Sequence, residues 1–134
     1  MEKHMLLAFK EAQKCKKTDD VPVGAVLVSK NKIIAKAHNT KEKTKIVTKH
    51  AEINVVEKAC KKRKNWYLND CTLYVTLEPC NMCMEVIKNA RIKKIIYATK
   101  KKKEENLKKP ELEQKIYVEN SEKILKDFFK NKRK

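Results

Sequence analysis

Apolar residues recur along this chain with two spacings, one typical of helices and one typical of strands. Met5, Phe9 and Ala12 lie at positions i, i+4 and i+7, so they share one face of a helix. The segment from Thr72 to Leu77 is rich in residues that favour a strand. By the same criteria we predict helices over residues 2–17, 50–63, 80–89 and from Ser121 through Phe129, and strands over residues 21–28, 33–37, 72–77, 94–98 and 115–118.

The order of these elements indicates the fold class. Strands that alternate with helices favour an α/β protein with helices on both faces of one sheet. We therefore predict a three-layer α/β/α sandwich around a mixed five-stranded sheet, in one domain over residues 1–134 with a basic C-terminal helix. We expect a lysine-rich loop over residues 41–49. Pro79 is expected to open the helix at residue 80, because proline suits the first helical position.

The net charge of the chain narrows the choice of binding partners. The 134 residues include 34 lysines and arginines against 17 aspartates and glutamates, a formal net charge of +17, and all but three of the basic residues are lysines. Either a coding bias toward lysine or an anionic partner such as a nucleic acid would explain this excess. No apolar run approaches the roughly 20 residues that span a bilayer, and the polar start does not resemble a signal peptide. We therefore expect a cytoplasmic protein with no membrane partner.

Two short clusters carry residues that suit metal chemistry. His50 and Glu52 begin one predicted helix, and Cys80 and Cys83 begin another, directly after a strand. The two clusters form H-x-E followed by P-C-x-x-C, a pattern typical of zinc-dependent nucleotide deaminases. Zinc prefers thiolate and imidazole ligands in four-coordinate geometry, and three protein ligands leave one position for water. The sequence therefore predicts a zinc ion on His50, Cys80 and Cys83.

Glu52 has a different predicted role, because it lies two residues after His50. Its carboxylate can take a proton from the water, deliver a proton to a ring nitrogen and return one to the leaving amine. The metal lowers the pKa of that water from about 16 to about 7. These groups together can remove an amino group from an aromatic ring by hydrolysis, and Glu52 is the predicted catalytic residue.

The sequence alone leaves other interpretations of the clusters open. A lone C-x-x-C also occurs in structural zinc sites and in redox pairs, and a lone histidine is more often a surface or capping residue. A structural site needs a fourth ligand. The candidates are His4, Cys15, His38, Cys60 and Cys71. None of these has metal-ligand spacing with the others, and Cys60 and Cys71 suit the core as small hydrophobic residues.

The chain resembles the cytidine deaminase-like superfamily and, within it, the bacterial tRNA adenosine deaminases. The resemblance runs through residues 21–28 and 72–83, and the C-terminal Asp127-Phe128-Phe129 points more narrowly to the tRNA enzymes. It implies a homodimer that converts the wobble adenosine of a tRNA anticodon to inosine. It also implies one Zn²⁺ per subunit on the two cysteines and the histidine of the clusters, with Glu52 as proton shuttle.

The same resemblance implies four substrate-binding residues. Asn39 matches a position whose amide contacts the base, and Ala51 lines the pocket with its backbone amide near the developing charge. Val23 and Leu77 would pack against the flipped base. From the residues alone, Asn39 is predicted to be a turn residue at a strand end, and Val23 and Leu77 could equally be core residues.

Two stretches depart from the pattern of that family. Lys49 stands before the histidine, where the family tends to carry a small residue, and its cation would either favour phosphate or point to solvent. A run of lysines begins at Lys100, where the family usually has a glycine-containing loop with an aspartate. This run would either contact tRNA phosphates or form a solvated loop.

We therefore expect a zinc hydrolase that deaminates the wobble adenosine of tRNA and binds the anticodon stem-loop. The nearest alternative is a deaminase of a free base or nucleoside of the cytosine, guanine or cytidine type, because only the rim of the pocket would differ. A second alternative is a nucleic-acid-binding module with a structural zinc, which predicts four protein ligands.

Overall fold

The computed structural model describes residues 2–100 of the chain. These residues include a sheet of four strands, β1 (Gly24–Ser29), β2 (Lys32–His38), β3 (Thr72–Leu77) and β4 (Lys94–Thr99), in the spatial order β2-β1-β3-β4. Strand β1 is antiparallel to both β2 and β3, whereas β3 and β4 are parallel. The sheet is therefore mixed, and β2, β3 and β4 all end at the same edge.

Helices cover both faces of this sheet. Helix α1 (Glu2–Gln13), extended by a 3-10 turn at Lys14–Lys17, packs on one face, and α3 (Ala51–Arg63) and α4 (Asn81–Asn89) pack on the other. Helix α2 (Lys41–Thr44) is a single turn between β2 and α3. The predicted three-layer α/β/α sandwich with a mixed sheet is confirmed.

The alternation of side chains along β1 divides the core in two. Ala25 and Leu27 point toward α3 and α4, whereas Val26 and Val28 point toward α1. Every residue of β1 is buried, as expected for a strand that is covered on both faces. The larger core also includes Val55, Leu73, Met84, Ile87 and Ile95, and the smaller one includes Met5, Ala8, Tyr74 and Ile96.

Several predicted boundaries differ from the structure, and three of the differences bear on the site. Strand β1 begins at Gly24 rather than at residue 21, so residues 21–23 form the connection that leads into the strand. Helix α4 begins at Asn81, with Cys80 as its N-cap in an extended conformation, so Pro79 lies before the first helical position. The loop predicted over residues 41–49 begins with the helical turn α2.

A carboxylate that is distant in sequence explains α2. Asp20 is fully buried, and its side chain accepts hydrogen bonds from the backbone N–H groups of Glu42 and Lys43. Thr18 donates its hydroxyl to the same carboxylate at 2.6 Å. Because the group that caps α2 comes from another segment, the local sequence of residues 41–49 gives no sign of the helix.

Several predicted features fall beyond the described residues. They are the strand over residues 115–118, the helix from Ser121 through Phe129, and the lysine run after Lys100. Within residues 2–100, none of the helices has both the length and the apolar character that crossing a bilayer requires.

Among the described residues, six that are not glycine have a positive φ: Asp19, Lys30, Asn31, Lys45, Lys64 and Arg91. Arg91 occupies such a position at the end of α4, with a φ of 68°. Its N–H donates to the carbonyl of Lys88 at 3.0 Å, and the N–H of Ile92 donates to that of Ile87 at 3.2 Å. These two bonds form the Schellman motif, in which the left-handed residue is usually glycine.

The only glycine of the chain lies where α1 crosses the start of β1. A Cβ atom on Gly24 would overlap the carbonyl oxygen of Ala8 and lie 2.6 Å from the backbone nitrogen of Ala12. The N–H of Gly24 also donates to the hydroxyl of Thr76 at 3.1 Å. A residue without a side chain is therefore needed for α1 to pack directly on the strand.

Replacing Gly24 with alanine should lower the free energy of unfolding by about 1–3 kcal/mol, because the backbone of α1 must move to admit the methyl group. Urea unfolding followed by circular dichroism measures this change. Lys36→Ala, an exposed substitution on β2, is the control and should stay within about 0.5 kcal/mol of the unmodified chain. Equal stability of both variants would contradict the close approach of α1 and β1.

Candidate active site

Two helices begin at the edge of the sheet where β2 and β3 end. His50 is the N-cap of α3 (φ −77°, ψ 153°) and Cys80 is the N-cap of α4 (φ −76°, ψ 174°). Neither side chain makes a capping hydrogen bond to its own helix. Instead, both point toward Cys83, which lies in the first turn of α4. The structure therefore brings together the three residues that the sequence predicts as metal ligands.

The distances between these side chains suit a single metal ion. His50 Nδ1 lies 3.8 Å from Cys80 Sγ and 3.4 Å from Cys83 Sγ. All three ligand atoms lie within 4.8 Å of one another. Tetrahedral zinc, with Zn–N and Zn–S bonds of about 2.0 and 2.3 Å, separates its nitrogen and sulfur ligands by about 3.5 Å. The group can therefore hold one metal ion.

The charge on Cys83 depends on what binds beside it. A hydrogen bond with Cys80, burial and the nearby Glu52 carboxylate all raise the pKa of the Cys83 thiol. Two helix N-termini, which carry partial positive charge, oppose this effect. A divalent cation at the centre of the group would stabilise the thiolate far more strongly. The donor set of one imidazole and two sulfurs is one that zinc prefers.

The structure does not gather a fourth cysteine or histidine around this group. Within residues 2–100, the residues that could share a metal are the three just described. The rest of the chain contains no cysteine or histidine. The other candidates lie elsewhere: His4 packs against the ring of Tyr74, His38 lies beside Glu11, and the Cys15 thiol faces backbone carbonyls. A structural zinc with four such ligands therefore has no support here.

A cavity of about 270 Å³ opens beside the metal-ligating group. It is lined by Val21, Val23, Asn39, Lys41, His50, Ala51, Glu52, Leu77, Glu78 and Cys80. These residues include every predicted site residue except Cys83, which is fully buried. Sequence reasoning missed Val21, Lys41 and Glu78 as lining residues, although each lies within two positions of a residue that was predicted.

Glu52 lies at the wall of this cavity, in the first turn of α3. Its carboxylate is buried, with 5% of its surface exposed, and it hydrogen-bonds with the side chain of Cys83. A buried carboxylate beside the metal-ligating group and open to the cavity can exchange protons with a molecule bound there.

Asn39 makes contacts that fit both of its predicted roles. Its amide nitrogen donates to the carbonyl of Val21 at 3.3 Å, and its amide oxygen accepts from the N–H of Lys41 at 3.1 Å. These bonds fix the turn after β2, as expected of a turn residue. The same side chain lines the cavity, so the turn holds the amide at the cavity wall.

Asn54, which sequence reasoning missed, ties α3 to the end of β2. Its amide nitrogen donates to the carbonyl of His38 at 2.9 Å and to the hydroxyl of Thr40 at 3.0 Å. Asn54 lies one helical turn after His50 and donates its N–H to the carbonyl of that residue at 2.9 Å. The only sequence signal was its helical spacing from His50. Asn54 therefore helps to fix the start of α3 relative to the sheet.

Lys49 does not point into the metal-ligating group. Its ammonium lies 2.8 Å from Glu57 Oε1, and Lys49 lines a second cavity of about 290 Å³. The ion pair with Glu57 differs from both expectations for Lys49, which were a phosphate contact near the metal and a side chain that points to solvent.

The match to known protein families agrees with this geometry. The family model of the MafB19-like deaminases matches residues 1–133. The chain belongs to this deaminase family. The predicted kinship with deaminases is therefore confirmed over nearly the whole chain.

Curated relatives narrow the kinship further. The tRNA-specific adenosine deaminase of Aquifex aeolicus is 37% identical over 139 residues, which cover 95% of this chain and 92% of the relative. The tRNA-specific adenosine deaminase of Bacillus subtilis is 45% identical over 96 residues, which cover 72% of this chain and 60% of the relative. These similarities confirm the predicted resemblance to bacterial tRNA adenosine deaminases.

Solved structures show the same fold. A structure from a study of tRNA deaminases that edit adenosine to inosine at the wobble position superimposes with a TM-score of 0.75 and 34% identity, over 83% of this chain and 95% of that one. A guanine deaminase of Bacillus subtilis superimposes with a TM-score of 0.71 and 25% identity, over 99% and 94%. The cytidine deaminase-like sandwich is thus confirmed, and both kinds of deaminase share it.

The geometry predicts one divalent metal ion per chain. Replacing Cys83 with alanine should reduce the metal content of the purified protein to a small fraction, because two ligands hold the ion much less tightly than three. Elemental analysis after gel filtration measures the ratio of metal to protein. Cys60→Ala, a cysteine outside the group, is the matched control and should keep a full equivalent. Equal metal loss in both variants would rule out the group as the binding site.

Proposed function

We propose that this chain is a zinc-dependent tRNA adenosine deaminase, which converts the wobble adenosine of an anticodon to inosine and releases ammonia. One observation carries the proposal: His50, Cys80 and Glu52 line a single cavity, and the buried Cys83 contacts all three of them. The relatives from Bacillus subtilis and Aquifex aeolicus support adenosine in tRNA as the substrate. The proposed enzyme is one deaminase domain over residues 1–134.

The chemistry needs a nucleophile and a proton carrier. His50, Cys80 and Cys83 would hold Zn²⁺, which would lower the pKa of a water molecule from about 16 to about 7. Glu52 takes a proton from the attacking water and delivers one to N1 of the purine as the oxygen joins C6. Glu52 then takes the remaining proton from the hydroxyl on C6 and delivers it to the amino group, and the C6–N bond breaks as the C6 carbonyl forms. The products are inosine and ammonia, which balance adenosine and water.

The cavity has the size and the lining for one base. Its volume of about 270 Å³ lies just below the range of about 300–1,000 Å³ that is usual for pockets of drug-sized molecules. Val23 and Leu77 supply apolar walls for the faces of the ring. Asn39 supplies an amide for its polar edge. The backbone amides of Ala51 and Cys80, at two helix starts, favour negative charge that develops on the substrate.

Basic residues near the cavity suit an RNA substrate. Lys41 lines the cavity mouth next to Asn39, where it can contact a phosphate that flanks the extruded base. The net charge of +17 favours association with a polyanion such as the anticodon stem-loop. The proposed enzyme acts in the cytoplasm as a homodimer with one Zn²⁺ per subunit.

A deaminase of a free purine base is the second candidate, because the guanine deaminase of Bacillus subtilis shares the fold at 25% identity. One assay separates the two candidates. Incubation with total tRNA, followed by sequencing, should reveal inosine at wobble positions. Free guanine, cytosine, adenosine and cytidine should release no more ammonia than a control without enzyme. Ammonia from a free base together with unmodified tRNA would favour the second candidate.

Glu52→Ala should lower the rate of inosine formation by about 10²–10⁴-fold, because the variant loses the carboxylate that is proposed to carry the protons. The variant should keep one equivalent of zinc, since Glu52 is not a proposed ligand. Single-turnover assays on tRNA, with elemental analysis of the same samples, test both statements. Glu85→Ala, an exposed glutamate on α4, is the control and should retain the rate. Undiminished inosine formation by the Glu52 variant would contradict the proposed mechanism.

A further inference from the structure

An exposed aromatic pair lies at the opposite end of α3 from the cavity. Trp66 is 59% exposed and Tyr67 is 44% exposed. Their rings lie edge to face, with centroids 5.5 Å apart. Large apolar side chains exposed side by side are typical of interaction sites. Lys61, Lys62 and Lys64 precede the pair within five positions in sequence, and all three are exposed.

The loop that carries these rings is held firmly in place. Arg63 makes two hydrogen bonds with the carboxylate of Asp70, at 2.7 and 2.8 Å, and Ser29 donates its hydroxyl to the same carboxylate at 2.7 Å. These bonds hold the pKa of Asp70 well below its usual range. Leu68, which lies between Arg63 and Asp70 in sequence, is fully buried and donates its N–H to the carbonyl of Ala90 at 2.9 Å. Because the loop is already ordered, little conformational entropy is lost when a partner binds the rings.

The charge around the pair indicates the chemistry of that partner. Arg63 is paired with Asp70, but within residues 2–100 no ion pair joins Lys61, Lys62 or Lys64 to a carboxylate. A second copy of the chain, docked symmetrically on the same surface, would bring these lysines close to their own equivalents. A polyanion would neutralise them instead. Aromatic rings among lysines suit single-stranded nucleic acid, whose bases stack on the rings while the phosphates contact the lysines.

We propose that Trp66 and Tyr67, with Lys61, Lys62 and Lys64, form a second RNA-binding surface that stacks unpaired bases outside the deaminase cavity. The choice of RNA as the polyanion rests on the proposed function. Helix α3 has 13 residues and is about 20 Å long, so the surface lies about that far from His50. Stacked nucleotides rise about 3.4 Å each, so about six of them span this distance. One RNA can therefore contact both sites.

Trp66 is the only tryptophan of the chain, so its fluorescence reports on this surface alone. We expect a 12-nucleotide oligouridylate to quench the emission of the zinc-loaded protein at low salt. Inorganic polyphosphate, which has charge but no bases, should leave the emission unchanged. Oligouridylate contains no adenine, so its binding does not depend on deamination. Quenching without inosine formation in tRNA would retain this surface and refute the proposed function, whereas the reverse result would refute the surface alone.

Substitutions test the stacking directly. Trp66→Ala and Tyr67→Ala should each weaken the binding of labelled oligouridylate by about 5–150-fold, measured by fluorescence anisotropy. Trp66→Phe should restore most of the affinity because it keeps a ring. Lys62→Gln should lower the slope of log K against log salt concentration by about 0.7. Leu6→Ala and Lys3→Gln, exposed on α1, are the matched controls and should have no effect.

A kinetic readout separates this surface from the cavity. On tRNA, Trp66→Ala should raise KM by at least about fivefold and leave kcat within about twofold, because the reacting groups are untouched. Circular dichroism checks that the variants are folded. Unchanged affinity of folded Trp66→Ala would overturn the proposal. So would emission that depends on protein concentration without RNA, because a second copy of the chain would then be the occupant.

Discussion

The metal-ligating group depends on two helices that start at the same edge of one sheet. Strands β2 and β3 run in the same direction on either side of β1, so the chain leaves both of them at one edge. The connection after β2 leads to His50, and the connection after β3 leads to Cys80. Residues 30 positions apart in sequence therefore meet within hydrogen-bonding distance, and both helix N-termini add positive potential there. The metal-ligating group follows from the order of the strands.

Much of the fold and of the candidate site could be predicted from the sequence, because both depend on short local patterns. The strand from Thr72 to Leu77 was predicted without error, and the H-x-E and P-C-x-x-C clusters identified residues that do come together. What the sequence did not reveal depends on contacts between distant segments. The caps that Asp20 provides to α2, and the bonds by which Asn54 joins two elements, have no local signal.

The two proposed RNA contacts differ in physical character. The cavity is concave and is bordered by buried polar side chains such as Glu52 and Asn39, so it can select one base by shape and hydrogen bonding. The pair formed by Trp66 and Tyr67 is exposed, so it would stack any base. Specificity would then come from the cavity, and affinity that is independent of sequence would come from the aromatic pair and its lysines.

Because Gly24 is the only glycine of the chain, no left-handed backbone position can be occupied by another glycine. Left-handed positions such as Lys45 and Arg91, where glycine is less strained, carry long side chains instead. Both positions end helices and lie outside the cavity lining. Replacing Lys45 or Arg91 with glycine should therefore raise the thermostability without altering the chemistry. A glycine-rich chain would already carry glycine at such positions.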